Sequence, residues 1–483
     1  MKRRLSILCL GLGLLWGAGC AHPQPQVRDV LPPIYPDYTQ ITIPANIAPL
    51  HFQVEDSLGR TCPLVDVVAS APNAKPLHAR GKRVARWPLE RWRALLKAAT
   101  GSAITVTVTA LVDGRPVQFA PFTWDVAPEL VDPFLSYRLI EPGYEVWYAL
   151  QLKERNVTSF RERTLADNNL TERSCMNCHT YGSQDSQYSF FHLRGAHGGT
   201  VLNQNGALRK LTLKPKDGIS AAVYGDLHPN RRTGVFSTNT IIPAFHGYKE
   251  RFEVYDAESD LILVDFNTEE VTPFPTYRDG DFRTFPVFSA DGRHIYYCYA
   301  PHTALPDSIR SLRYDLLSLP FDPQTGLWST SAPDTLYSAR RQGRSVCHPK
   351  ASPDGHYVLF TLADYGTFPI WHQETDLYLL NLQTRALDSL PEANSPTYSD
   401  TYHSWSSNSR WFVFASKRDD GLYGKPYFCY VDAQGHAHKP FVLPQKDPMT
   451  YRNTLKSFNI PELSKGALPF DARAIEKLYW DVP

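Results

Sequence analysis

Beyond residue 200 the chain is periodic, and its period admits few folds. Phe285-Pro286-Val287-Phe288-Ser289-Ala290-Asp291-Gly292 leads into an apolar run that ends at Tyr297. The same order of residue types returns from His348 to Phe360, around Ser352-Pro353-Asp354-Gly355, and from Tyr402 to Phe414, around Ser406-Ser407-Asn408-Ser409. A weaker copy runs from Leu227 to Phe236. Each copy reads as strand, turn, strand, because Asp-Gly and Asn-centred turns supply the backbone conformations that a hairpin needs. Another apolar strand follows each hairpin, as at Asp260 to Asp265 and Thr375 to Leu382. Copies recurring at roughly 55 to 65 residues fit four-stranded blades with insertions, since one such sheet cannot bury both faces alone and neighbours must stack around an axis. The pattern predicts an all-β chain whose C-terminal part, 201–465, is a β-propeller of five or six blades.

Upstream the pattern changes. Ile104 to Thr109 alternates strictly, Asp113-Gly114 supplies a hairpin turn, and Val117 to Val126 returns as strand. One helix is expected between Pro88 and Ala99, where Leu89, Trp92, Leu95 and Leu96 share a face and Gly101 can end it. Residues 38–130 are read as a β-sandwich-like domain and 21–37 as a proline-rich tether. The stretch 131–200, which contains Cys175-Met176-Asn177-Cys178-His179, is read as a haem-binding connector, and 466–483 as a C-terminal tail.

The reason for the cofactor is Cys175-Met176-Asn177-Cys178-His179. Two thiols on one turn with a His directly after the second suit thioether bonds to both vinyl groups of a single covalent haem c, and the His179 imidazole suits the proximal axial position on the iron. A zinc site calls for a second ligand pair at similar spacing, and a thioredoxin-like pair calls for a βαβ context. Neither is visible.

The first twenty residues agree with that chemistry. Lys2, Arg3 and Arg4 precede an apolar stretch from Leu5 to Trp16, too short to span a bilayer, and Gly17-Ala18-Gly19-Cys20 closes it with small residues and a Cys. This resembles a bacterial lipoprotein signal, with Gly17 where Leu is more usual, and it implies a lipid on Cys20 that ties the chain to a membrane. Extracytoplasmic placement, at the periplasmic side of an outer membrane, is the expectation. With 50 basic and 49 acidic side chains there is no electrostatic case for a nucleic-acid partner. Of the other cysteines, Cys298 and Cys429 sit in apolar strand-like runs and read as buried thiols rather than disulfide partners.

The sixth position on the iron decides between electron transfer and small-ligand chemistry. Methionine is scarce: beyond Met1, only Met176 inside the motif and Met449 occur. The candidate distal ligands are therefore His192, thirteen residues after His179, His246 between two propeller strands, and Met449. Arg194, near His192, is placed to pair with a haem propionate. His348 and His403 precede the repeated hairpins and are expected to pin blades by hydrogen bonding. No Gly-x-Ser-x-Gly elbow, His-Glu-x-x-His pair or phosphate-cradling loop is present, so hydrolase chemistry has no sequence support.

The Ser-Pro-Asp-Gly hairpins resemble those of TolB-like β-propellers. Together with Tyr137 to Tyr144, the Cys175 to His179 motif, Phe191-His192-Leu193-Arg194-Gly195, Ala244-Phe245-His246 and Ser457 to Glu462, the chain resembles haem-bearing, propeller-containing lipoproteins of Bacteroidetes over most of residues 30 to 465. That resemblance implies architecture and haem but no established reaction. The expectation is a lipid-anchored monohaem c-type cytochrome passing electrons to or from a protein partner. The alternatives are a propeller scaffold for a protein or peptide with a structural or sensory haem and, more weakly, a peroxidase-like enzyme.

Overall fold

The computed structural model describes residues 24–141, 149–243 and 253–481. Among them six four-stranded antiparallel sheets follow one another around an axis. Five are formed from consecutive strands, and their inner strands are Met176–Tyr181, Ala222–Leu227, Phe282–Phe288, Ser345–Ala351 and Asp400–Trp405. The sixth is assembled from both ends of the propeller segment. The C-terminal strand Ser457–Ser464 pairs with Phe134–Ile140, which is followed outward by Leu150–Asn156 and Glu162–Asp167. This composite sheet is blade 1, and the others are blades 2 to 6 in chain order. Each inner strand touches the next, including the pair that closes the ring between Asp400–Trp405 and Ser457–Ser464. The result is a six-bladed propeller around a central channel.

This arrangement changes the reading of the connector and of the tether. The connector 131–200 is instead most of blade 1 and the first strands of blade 2, so the propeller begins near Phe134 rather than at 201. The described part of the tether is structured: Gln26–Val27 pairs in parallel with Arg115–Gln118, and Ile34–Tyr35 pairs with Phe52–Glu55. The tail contains the helix Ala472–Trp480, which packs on the outer strands of blades 1 and 2. Its start is fixed by the Asp471 side chain, which accepts from the Arg473 and Ala474 backbone N–H groups.

The N-terminal domain holds a seven-stranded and a four-stranded sheet with one helix, Leu89–Ala99. Trp92, Leu95, Leu96 and Ala99 are its buried face, and Trp92 meets Trp124 edge-on at 5.5 Å. This core runs without interruption into that of blade 6, through Trp405, Trp411 and Phe441. Polar contacts align the two bodies: Trp411 Nε1 donates to the Glu129 carbonyl at 2.8 Å, and Asp132 accepts from both the N–H and the hydroxyl of Ser407. Among the described residues no helix is long and apolar enough to cross a membrane.

Candidate functional site

Every inner strand breaks register once. The breaks fall between Asn177 and Thr180, Ala222 and Gly225, Thr284 and Val287, Cys347 and Lys350, and Thr401 and Ser404. In blade 1 the break lies opposite Ser136 and Arg138. Such a bulge leaves two residues facing one and re-aims a side chain, here toward the axis. The first bulged residue has a left-handed backbone in five blades: Cys178 (φ 58°), Phe285 (50°), His348 (51°), Tyr402 (50°) and Ile460 (54°). Cys178-His179 is therefore the blade 2 counterpart of Phe285-Pro286, His348-Pro349, Tyr402-His403 and Ile460-Pro461.

These residues and Tyr224 form a collar. Ring centroids step from Tyr224 to Phe285 (4.3 Å), from Phe285 to His348 (4.4 Å) and from His348 to Tyr402 (5.0 Å). The Cys178 thiol is within electrostatic reach of both Tyr224 and Tyr402, and burial raises its pKa to about 11. Cys175 lies just before the strand, in the apolar seam between blades 1 and 2 with Leu152, Phe191 and Tyr479. Its carbonyl accepts the Arg194 N–H at 2.9 Å. Neither thiol is in a disulfide, and Cys62, Cys298, Cys347 and Cys429 are likewise buried thiols.

His179 turns back toward blade 1, where the Ser136 and Ile460 backbone flank it, and burial holds its pKa down at about 3, so the ring is neutral. Its Nε2 has no hydrogen-bond partner. Five more unpartnered buried atoms stand on the same or nearby strands: Asn177 Oδ1, Arg138 Nε, Asn459 Oδ1, the Tyr188 hydroxyl and His192 Nε2. A buried polar atom left unpaired costs about 1 to 3 kcal/mol, but these atoms do not share one seam: Asn459 Oδ1 lies toward Gly424 of blade 6, and Asn177 is the direct register partner of His192. Two thiols, a neutral imidazole and the nearby cations Arg138 and Arg194 are a donor set that fits covalent haem with ionised propionates. Both cations are close enough to stabilise the thiolate of either cysteine. Arg138 was not among the residues singled out from sequence; its signal was its place in the Tyr137 to Tyr144 run.

The other expected ligands are not brought to His179. His192 lies on Tyr188–Leu193, where successive side chains alternate between faces. Phe191 and Leu193 enter the seam toward blade 1, whereas Phe190 packs toward blade 3. His192 follows Phe190, shares a hydrogen bond with Thr200 Oγ1 (2.9 Å) and meets Phe236 at 6.2 Å. The sheet of blade 2 thus stands between the two imidazoles. Met449 sits beside the N-terminal domain, its sulfur accepting from Gln53 Nε2 at 3.1 Å. His246 and Cys20 lie outside the described residues. His403 has the pinning role expected of it, with Nε2 bonded to the Leu359 carbonyl of blade 5 at 2.8 Å.

No protein-family model and no curated protein matches the chain. Among solved structures it is similar to TolB from Acinetobacter baumannii, at 11% identity and a TM-score of 0.44 over 90% of this chain and 98% of that one. A putative TolB from Agrobacterium tumefaciens aligns at 13% identity and 0.39, over 64% and 88% of the two chains. A puromycin-hydrolysing peptidase of Mycobacterium tuberculosis aligns at 15% and 0.36, over 57% and 39%. At these values nothing of their chemistry transfers.

Proposed function

We propose that this chain is a monohaem c-type cytochrome that passes electrons to or from a protein partner outside the cytoplasm, with a lipid on Cys20 holding it at a membrane. The observation that carries the reading is the unpartnered, neutral Nε2 of His179 directly after two unpaired cysteines. The resemblance to haem-bearing Bacteroidetes lipoproteins supports it. When bound, the haem supplies a one-electron redox centre.

The chain's own residues supply the rest. Cys175 and Cys178 would hold the group covalently, and His179 Nε2 would ligate its iron. Arg138 and Arg194 would offset propionate charge. The seam of Leu152, Phe191 and Tyr479 excludes water and favours the less charged oxidation state. A second reading, small-ligand or peroxide chemistry at an open iron position, is favoured by the placement of His192 and Met449 away from His179.

Expression in a host able to mature c-type cytochromes tests both. A haem-stained band should survive denaturing electrophoresis and vanish in Cys175→Ser/Cys178→Ser; its absence from the parent protein overturns the proposal. Carbon monoxide binding by the reduced protein selects the second reading, and resistance to it the first.

A further inference from the structure

At the hairpin end of the channel the inner strands line a partly open cavity of about 130 Å3, to which every blade contributes: Thr180, Asp226, Phe288, Lys350, Ser404 and Glu462. Three of these are charged. Lys350 donates to Glu462 at 2.8 Å, and Glu462 is buried, so the two form a neutral unit. Asp226 is different. Its oxygens accept the Leu227 and Phe288 N–H groups at 2.9 Å each, which fixes the carboxylate and leaves its other lone pairs unused. Among the described residues no Lys or Arg forms an ion pair with it, and the nearest cation, Lys350, is engaged by Glu462.

The cavity therefore carries one uncompensated negative charge at a partly open mouth of the channel. A half-buried carboxylate of this kind favours a cation beside it. The size argues against a bare ion: at about 30 Å3 per water, the cavity takes roughly four waters. The described residues also lack any cluster of three His, Cys, Asp or Glu side chains suited to a metal. Leu227, Val287 and Trp405 line the same space, which suits a short carbon chain behind a charged head.

We infer that this mouth of the channel binds a primary ammonium group, with N–H donors directed to Asp226 and Glu462 and the attached carbons against Trp405. A free small amine or the amino end of a partner polypeptide carries this chemistry. The site does not depend on haem.

Calorimetric titration and thermal unfolding of the full chain with ethylammonium chloride, at constant ionic strength, test the inference. One site per chain is expected, with affinity at least tenfold weaker in Asp226→Asn. Affinity should be stronger in Lys350→Gln, which removes the competing cation. Tetramethylammonium has the charge without the donors and should not compete; potassium should not compete either. Tighter binding of trialanine amide than of ethylammonium, lost on N-acetylation, identifies a chain end as the source, whereas equal or weaker binding identifies a free amine. The inference is overturned if ethylammonium gives neither heat nor a raised unfolding midpoint, if potassium or tetramethylammonium binds equally, or if Asp226→Asn binds like the parent. Should Asp226→Asn fail to fold, Lys350→Gln decides, and weaker binding by it overturns the inference.

Discussion

Cys178 and His348 hold equivalent places on opposite walls of the channel, three blades apart, each the first residue of its strand's bulge with φ near 50° to 60°. A side chain with a Cβ is strained there by about 1 to 2 kcal/mol, and the fold repeats that strain in five blades. The bulge is thus a property of the propeller, which the cysteine motif occupies.

Phe285 allows the strain to be measured apart from any cofactor. Phe285→Ala and Phe285→Gly both lose the collar ring, but only glycine adopts a φ of 50° without penalty. The glycine variant should be the more stable of the two by about 1 kcal/mol in urea unfolding. Equal midpoints, or a more stable alanine variant, would show that the bulge is not strained.

His192 should matter for stability and not for iron coordination. Its imidazole fills the seam between blades 2 and 3 against Phe190 and Phe236 and bonds Thr200. His192→Ala removes a buried ring and leaves the threonine hydroxyl unpaired, a loss of about 2 to 4 kcal/mol. The absorption spectrum of the haem-loaded protein should be unchanged. A shift from low-spin to high-spin iron in this variant would place His192 on the metal.

Much of this was legible in the sequence, and what was not had a physical cause. The hairpins at Asp291-Gly292 and Asp354-Gly355 announce blades 4 and 5 because their turns need left-handed residues. Blade 2 turns instead at Gly182–Gln184, without an Asp-Gly pair, so Cys178-His179 was not recognised as the counterpart of Phe285-Pro286. Blade 1 joins Phe134–Ile140 to a strand more than three hundred residues later, and no local pattern encodes that pairing. The pairing of Gln26–Val27 with Arg115–Gln118 was hidden for the same reason. The face on which His192 lies was readable in principle: once Tyr188–Leu193 is a strand, its parity with Phe190 follows from the period of two.

Acid should destabilise the protein through its buried neutral histidines, and His403 permits a clean test. Burial holds its pKa at about 3, well below the unfolded value of about 6.5. Between these values the unfolded chain binds a proton that the folded chain does not. The stabilisation from keeping the ring neutral is therefore complete above pH 6.5 and declines as pH falls, by about 1.4 kcal/mol for each unit below it. His403→Gln keeps a donor for the Leu359 carbonyl and does not titrate. Between pH 7.5 and 5.5 the parent should lose about 1.4 kcal/mol more stability than this variant in urea titrations. Identical losses would mean that His403 is protonated in the folded protein.

Closure of the ring sets an order of events for the proposed haem. Cys175 and Cys178 are 6% and 9% exposed, and the strand that carries Cys178 is enclosed by its neighbours on both sides. Blade 1 is complete only when Ser457–Ser464 adds to the edge of Phe134–Ile140, so the ring stays open until the C-terminal segment arrives. Attachment to the thiols must then precede folding of the propeller. A chain ending at Lys456 lacks the closing strand and leaves the buried Tyr181, whose hydroxyl bonds Ser136, open to solvent. It should lose cooperative unfolding and be cleaved readily by protease, yet carry as much covalent haem per chain as the full-length protein on a haem-stained denaturing gel. A truncated chain with no haem, made by a host that loads the full-length protein, would show that the thiols react only in the closed ring.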